Sequence, residues 1–127
     1  MTDPQEEIEN IINESRLLEL QMALERITDE HFVIIHGQHR FKQQTVRGSR
    51  YRGVSKNGNK WQVLVMGNQK KQYSGSIQDE AAAARLYDKF AIKNLGLRAK
   101  TNFDYKRSDL QRIVKELEQE DSEQEDL

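Results

Sequence analysis

The residues best suited to chemistry in this 127-residue chain are basic and aromatic, and they occur close together. They are Arg50, Arg52, Lys56, Lys60, Lys70 and Lys71, interleaved with Tyr51, Trp61 and Tyr73. Cationic side chains neutralise phosphates, and Arg or Lys also donates hydrogen bonds to the guanine edge in the DNA major groove. The pattern therefore indicates a surface for nucleic acid.

Residues suited to catalysis or metal binding are scarce. The chain has no cysteine, and its three histidines, His31, His36 and His39, lie in a stretch without Asp or Glu. A metal site needs three or four convergent ligands. No glycine-rich phosphate loop or nucleophile elbow occurs. We therefore expect no enzyme activity, no cofactor and no metal site.

Charge is segregated along the chain, although the net charge is only −1. Residues 1–30 carry a net charge of −7, residues 31–78 have nine Lys or Arg and no acid, and residues 106–127 carry −4. Protein surfaces usually mix the two signs, so this segregation favours a basic face that meets a polyanion. In the alternative, the acidic flanks only pair with the basic middle.

The N-terminal segment has the pattern of an amphipathic helix over residues 4–27. Asp3 suits the cap and Pro4 the first helical position. Residues Ile8, Ile11, Ser15, Leu18 and Met22 form one seam, which we name the α1 seam. This helix is predicted to dock on its own domain, to bind a partner or to dimerise, and the spacing does not separate these outcomes. The segment is acidic and lacks a hydrophobic signal, and no apolar run reaches about 18 residues, so neither secretion nor a membrane span is expected.

The middle of the chain has the pattern of strands and hairpins. A short strand is predicted over residues 31–36, a loop or linker over 37–48, and a three-stranded meander over 50–55, 61–66 and 71–77. Asn57-Gly58 predicts a type I′ hairpin. Both faces of the second strand are largely apolar, so the alternation alone does not identify the face that packs.

Two helices are predicted after the meander. Asp79 can cap the first, which contains four consecutive alanines (81–84), and Gly96 suits its C-terminal cap. The second is predicted from the helical spacing of Leu110, Ile113, Val114 and Leu117, and Ser108 with Gln111 makes a capping box at its start. The acidic segment beyond it is predicted to be disordered and to compete with DNA for the basic sheet.

Five spaced motifs then carry a resemblance to a known family. They are Tyr51-Arg52-Gly53-Val54, Lys60-Trp61, Tyr73-Ser74-Gly75-Ser76-Ile77, Ala83-Ala84-Arg85-Leu86-Tyr87-Asp88 and Lys100-Thr101-Asn102-Phe103. In this order they resemble the Apetala-two/ethylene-response-factor (AP-two/ERF) DNA-binding domain over residues 50–104. The resemblance implies an α+β fold in which one helix packs across a three-stranded antiparallel sheet, while the free face of the sheet lies in the major groove. It also implies that Trp61, Val63 and Val65 pack against the helix.

Residue patterns and charge predict an acidic helix at 1–30, a strand and basic linker at 31–49, a helix at 105–117 and an acidic tail at 118–127. Between these segments, the resemblance gives the DNA-binding domain at 50–104. Together with the basic cluster, it assigns DNA binding to Arg50, Arg52, Gly53, Ser55, Lys56, Asn57, Lys60, Gln62, Met66, Lys71, Tyr73 and Tyr87.

The sequence departs from better-known members at Leu64 and Met66, where a glutamate and an arginine commonly stand, and its first hairpin is one residue shorter. The resemblance therefore does not imply the GC-rich site of the ethylene-response members. We expect a nuclear, sequence-preferring protein that binds double-stranded DNA and regulates transcription. Two alternatives stay open: a protein-interaction subunit that uses the same fold, and a DNA-targeting module related to mobile-element endonucleases. A protein partner or self-association is expected through helices 4–27 and 108–117.

Overall fold

A computed structural model describes residues 3–29, 31–34, 48–67 and 70–125, and it describes their side chains except at residues 9, 13, 66, 67, 70–74 and 121–125. The described residues form three α-helices and two small sheets. The helices are α1 (Pro4–Glu25), α2 (Glu80–Leu95) and α3 (Arg107–Glu125). The strands are β1 (Phe32–Ile34), β2 (Val54–Asn57), β3 (Lys60–Gly67), β4 (Lys70–Ile77) and β5 (Tyr105–Lys106). The predicted linker, residues 37–48, lies outside the described residues except for Gly48.

Strands β2, β3 and β4 form an antiparallel sheet in that order, and β1 pairs with β5 in a second, two-stranded sheet. Helix α2 packs across one face of the three-stranded sheet. Val54, Val63 and Val65 meet Ala83 and Ala84 of α2 there, and the small alanines let the helix lie close to the strands. The predicted α+β fold, with one helix across a three-stranded sheet and flanking helices, is confirmed.

A second core lies on the C-terminal half of α2. Ala91 and Ile92 of this helix pack there against side chains from α1, β1, β5 and α3. The residues from these other elements are Leu17, Leu20, Leu24, Ile34, Tyr105, Leu110, Val114 and Leu117. The flanking helices therefore belong to the folded unit, and α1 docks on its own chain.

Several predicted details differ from the structure. The first hairpin turns at Gly58 and Asn59, because Asn57 pairs with Lys60. Gly58 has a φ of 63° and Asn59 has no positive φ, the pattern of a type II′ turn, so the predicted type I′ turn is wrong. The first strand begins at Val54, four residues after its predicted start.

The ends of the flanking helices also differ from prediction. Helix α3 begins at Arg107, one residue before the predicted cap, and Asp109 Oδ2 accepts a hydrogen bond from the Lys106 N–H at 3.0 Å. Ser108 N–H instead donates to Asp29 Oδ1 at 3.0 Å. Helix α3 continues to Glu125, so the disorder predicted from Glu118 is wrong as far as Glu125. Caps were predicted correctly at Asp3, Asp79 and Gly96.

Candidate nucleic-acid interface

The face of the three-stranded sheet opposite α2 is set by the strand register. Side chains alternate along a strand, and directly opposed residues share a face. Because Val54 pairs with Val63 on the buried face, the neighbouring pair Ser55 and Gln62 lies on the other side. The pairs assigned to this side, which we name the free face, are Asn57–Lys60, Ser55–Gln62, Leu64–Tyr73 and Met66–Lys71.

The described side chains confirm which side of β3 is buried. Val63 is 0% exposed and Val65 is 3% exposed, whereas Leu64 between them is 40% exposed. Trp61 is partly buried against the same core as the two valines. The packing role that the resemblance implies for Trp61, Val63 and Val65 is therefore confirmed.

The centre of the free face is polar and preorganised. Gln62 Nε2 donates a hydrogen bond to Ser55 Oγ at 2.8 Å, across the pair that joins β2 and β3. This bond fixes the direction of the Gln62 amide beside the exposed Leu64. Asn57 and Lys60 are exposed at the end of the hairpin. The described side chains of the free face thus provide two amides, a hydroxyl, a cation and an exposed leucine.

Lys56 is separated from the free face. It pairs with Trp61, and its ammonium lies 5.8 Å from the centroid of the Trp61 ring, on the side of the sheet that carries α2. Lys56 and Lys60 therefore project from opposite sides of one hairpin. Both lysines were predicted to contact DNA, because spacing within a basic cluster does not show on which side of a sheet each residue lies.

Arg52 and Gly53 lie in the turn that leads into β2, and long-range contacts hold this turn. Arg52 N–H donates to Asn102 Oδ1 at 2.7 Å, and Asn102 Nδ2 donates back to the Arg52 carbonyl at 3.1 Å. The Gly53 carbonyl accepts a bond from Leu64 N–H at 2.9 Å. The backbone of Arg52 is thus fixed beside the edge of the free face.

Asn102 is in turn held by a buried carboxylate. Asp88 on α2 is 0% exposed and accepts hydrogen bonds from Asn102 N–H at 2.7 Å, Phe103 N–H at 3.0 Å and the Tyr105 hydroxyl at 2.7 Å. Burial raises the pKa of Asp88 to about 6, against these hydrogen bonds, which favour the charged form. Burial and the adjacent carboxylate also raise the pKa of Tyr105. The chain Asp88–Asn102–Arg52 connects α2 to the turn at the sheet.

Tyr87 lies behind the same turn. A Cβ added at Gly53 would overlap the Tyr87 ring, and Gly53 has a φ of 75°, so two separate constraints require glycine there. Burial raises the pKa of the Tyr87 hydroxyl, while the positive charge of Arg52 opposes that rise. The structure thus gives Gly53 and Tyr87 a packing role, besides the DNA contact assigned to each.

Arg50 is exposed at the start of this turn. Its guanidinium lies 5.4 Å from the centroid of the Tyr51 ring, and a side-chain hydrogen bond with Tyr51 raises the pKa of Arg50. The side chains of Met66, Lys71 and Tyr73 lie outside the described residues. For these three the backbone register alone assigns the face.

The acidic residues of α3 contact α2. Lys89 forms an ion pair with Glu116 at 3.4 Å and another with Glu120. These two carboxylates are thus paired with a lysine of α2, the helix that packs on the sheet face opposite the free face. The competition predicted between the acidic segment and DNA has no support from these contacts.

Among the described residues, no three His, Asp or Glu side chains converge as metal ligands would. No helix described here is both long and apolar enough to cross a membrane.

Comparison with known proteins gives relatives of one kind. The chain is 39% identical over 70 residues to the AP2-like ethylene-responsive transcription factor CRL5 of Oryza sativa subsp. japonica. It has the same identity, over the same length, to AIL5 and PLT2 of Arabidopsis thaliana, which carry the same description. The resemblance to the AP-two/ERF family is confirmed. The matched region is 52% of this chain but only 11–12% of the AP2-like relatives. No protein-family model and no solved structure matches the chain.

Two residues that hold the Arg52 backbone lie outside the predicted set. In the sequence, Asp88 and Asn102 are motif residues with no assigned role. In the structure, they hold the Arg52 backbone in place. A signal was available, because an aspartate and an asparagine recur at fixed places in that family pattern. Their connection to Arg52, 50 residues from Asn102 in sequence, needed the fold.

Proposed function

We propose that this chain binds double-stranded DNA with sequence preference, through the free face placed in the major groove, and regulates transcription in the nucleus. The observation that carries the proposal is the free face itself. The free face lies between the end of a basic hairpin and the turn of Arg52 and Gly53, which we name the arginine turn. Both belong to a stretch of 48 residues that has no acid. The likeness to AP2-like transcription factors supports the same function.

The division of roles follows from position. Arg52 and Lys60 contact phosphates or guanine from the two ends of β2, and Lys71 acts beside Met66 on the far strand. Ser55, Asn57 and Gln62 read base edges from the centre of the free face. Tyr73 stands opposite Leu64, and Arg50 adds charge at the rim.

Leu64 bears on which base pair this chain prefers at the centre of its target site. Its side chain is 40% exposed beside the fixed amide of Gln62. An apolar side chain contacts the thymine methyl, and a glutamine amide pairs with adenine N6 and N7. We therefore expect one A·T pair at the centre of the site. The glutamate and arginine that commonly stand in place of Leu64 and Met66 would select other bases.

Titration of DNA binding against salt tests the proposal. The logarithm of the association constant should fall steeply with the logarithm of salt concentration, by about 0.9 for each phosphate neutralised. Lys60→Ala should reduce this slope by about 1 and weaken binding roughly fivefold on all sequences. Lys115→Ala, an exposed lysine on α3, is the matched control and should change neither value. Lys56→Ala tests the DNA contact that was predicted for Lys56, which projects from the opposite side of the hairpin.

Selection from random duplexes then tests base readout. Leu64→Ala should relax the preference at one A·T pair by about tenfold and leave the other positions unchanged. A flat salt dependence, or no binding below about 10 µM at low salt, would contradict DNA binding.

The exposure of Leu64 also favours a second function, in which the free face binds another protein. In that case, Arg52→Ala would disrupt the complex with the protein partner. The chain without the substitution would have no measurable affinity for DNA.

A further inference from the structure

Helix α1 has two apolar sides, and only one of them is used. Leu17, Leu20 and Leu24 are at most 5% exposed in the second core. The α1 seam lies on roughly the opposite side, because successive residues turn by about 100° around a helix. In the seam Ile8 is 57% exposed, Ile11 63%, Leu18 57% and Met22 51%. Helix α1 therefore docks on its own chain through Leu17, Leu20 and Leu24, and the α1 seam is left exposed.

In the first half of α1, none of the described side chains is buried in the fold. Every described side chain from Pro4 to Ser15 is exposed, and the first buried residue is Leu17. In proteins, most of the stability of a helix comes from packing of its apolar face. The residues of the α1 seam recur with heptad spacing, which is the pattern of a helix that packs along another helix.

The charges beside the α1 seam select the partner. Glu7 and Glu14 flank it on one side and Glu19 flanks it on the other, and residues 4–15 contain four Glu and no Lys or Arg. Two parallel copies would place Glu14 against Glu19 of the second copy, and antiparallel copies would oppose glutamates on the same flank. Like charges thus oppose self-association along the seam, while a basic flank would complement it.

We infer that the α1 seam is a docking surface for an amphipathic helix of another protein, one that has an apolar stripe flanked by Lys or Arg. The partner helix packs its stripe on Ile8, Ile11, Leu18 and Met22 and pairs its cations with the flanking glutamates. The surface shares no residue with the core that supports the three-stranded sheet. Docking on the α1 seam and DNA binding on the free face are therefore separate events.

A charge-inverted peptide tests the inference on the intact chain. The probe is a synthetic copy of residues 4–25 in which Lys replaces every Glu. A second peptide has the same composition, but its apolar residues are moved out of heptad spacing. At about 150 mM salt, fluorescence anisotropy should give a Kd on the order of 10 µM for the first peptide and at least tenfold weaker binding for the second.

Matched variants locate the contact. Ile11→Lys should weaken binding of the first peptide at least tenfold, and the neighbouring Asn10→Lys, which adds the same charge outside the α1 seam, should change it less than threefold. Circular dichroism and DNA affinity should be unchanged in both variants. Sedimentation should show the free chain as a monomer up to about 100 µM. Equal effects of the two variants, equal binding of the two peptides, or a micromolar homodimer would each overturn the inference.

Discussion

Replacing Asn102 by alanine tests the connection that holds the arginine turn on α2. The side chain makes two good hydrogen bonds with the Arg52 backbone, at 2.7 and 3.1 Å, and a weaker one to the Ala84 carbonyl at 3.5 Å. Each good bond is worth about 1 kcal/mol, and leaving buried partners unsatisfied costs about 1–3 kcal/mol more. Asn102→Ala should therefore lower the free energy of unfolding by about 3 kcal/mol.

Urea denaturation followed by circular dichroism measures this loss. With an m-value of about 2 kcal/mol/M for a chain of this size, the midpoint should fall by about 1.5 M. DNA affinity, measured well below the midpoint, should also fall because Arg52 is no longer positioned. Asn10→Ala, at an exposed helical position, is the control and should change stability by less than about 0.5 kcal/mol.

Asn102→Asp separates the hydrogen bonds from the charge. The new carboxylate still accepts from Arg52 N–H, but it cannot donate and it lies next to the buried Asp88 carboxylate. Two adjacent buried carboxylates repel, so this variant should be less stable than Asn102→Ala at pH 7 and should approach it near pH 4. A loss below about 1 kcal/mol for Asn102→Ala would refute the structural role assigned to this residue.

Four other substitutions, one of them a control, test separate parts of the fold. Gly53→Ala should destabilise by about 3 kcal/mol, since its φ is 75° and the new methyl overlaps the Tyr87 ring, and a loss below 1 kcal/mol in urea would contradict this. Leu20→Ala should cost about 2–4 kcal/mol while Leu18→Ala costs below 0.5 kcal/mol, because only Leu20 is buried; equal losses would show that the buried face of α1 is misassigned. Burial raises the Asp88 pKa to about 6, so the folded chain retains a proton there that the unfolded chain loses. The wild type should then lose up to about 3 kcal/mol relative to Asp88→Asn as the pH rises from about 4 to 6, and a constant difference would exclude this linkage.

The sheet and its packed face were predictable because local signals and the resemblance agree. The resemblance assigned Val63 and Val65 to the core, and the alternation then placed Leu64 on the free face, as the structure has them. Caps at Asp79 and Gly96 fixed the bounds of α2 from local chemistry alone. The caps depend only on neighbours in sequence, whereas the packed face of β3 was predictable only with the family resemblance.

The features that were missed depend on contacts between distant residues. The apolar seam of α1 has better heptad spacing than the residues that pack, and only the positions of α2 and α3 decide that Leu17, Leu20 and Leu24 are buried. Lys56 and Lys60 look equivalent in a basic cluster until the strand register places them on opposite faces. The Asp88–Asn102–Arg52 connection likewise joins three separate segments.

Helix α2 explains why the flanking helices matter to the proposed DNA surface. Its first turns hold the sheet through Ala83 and Ala84, and its last turns are buried by α1 and α3 through Ala91 and Ile92. Tyr87 packs against both cores, and Asp88 beside it fixes Asn102 and hence the arginine turn. The position of the Arg52 backbone is therefore set by packing on both halves of α2. The folded unit that presents the free face is accordingly larger than the stretch from 50 to 104 on which the motifs lie.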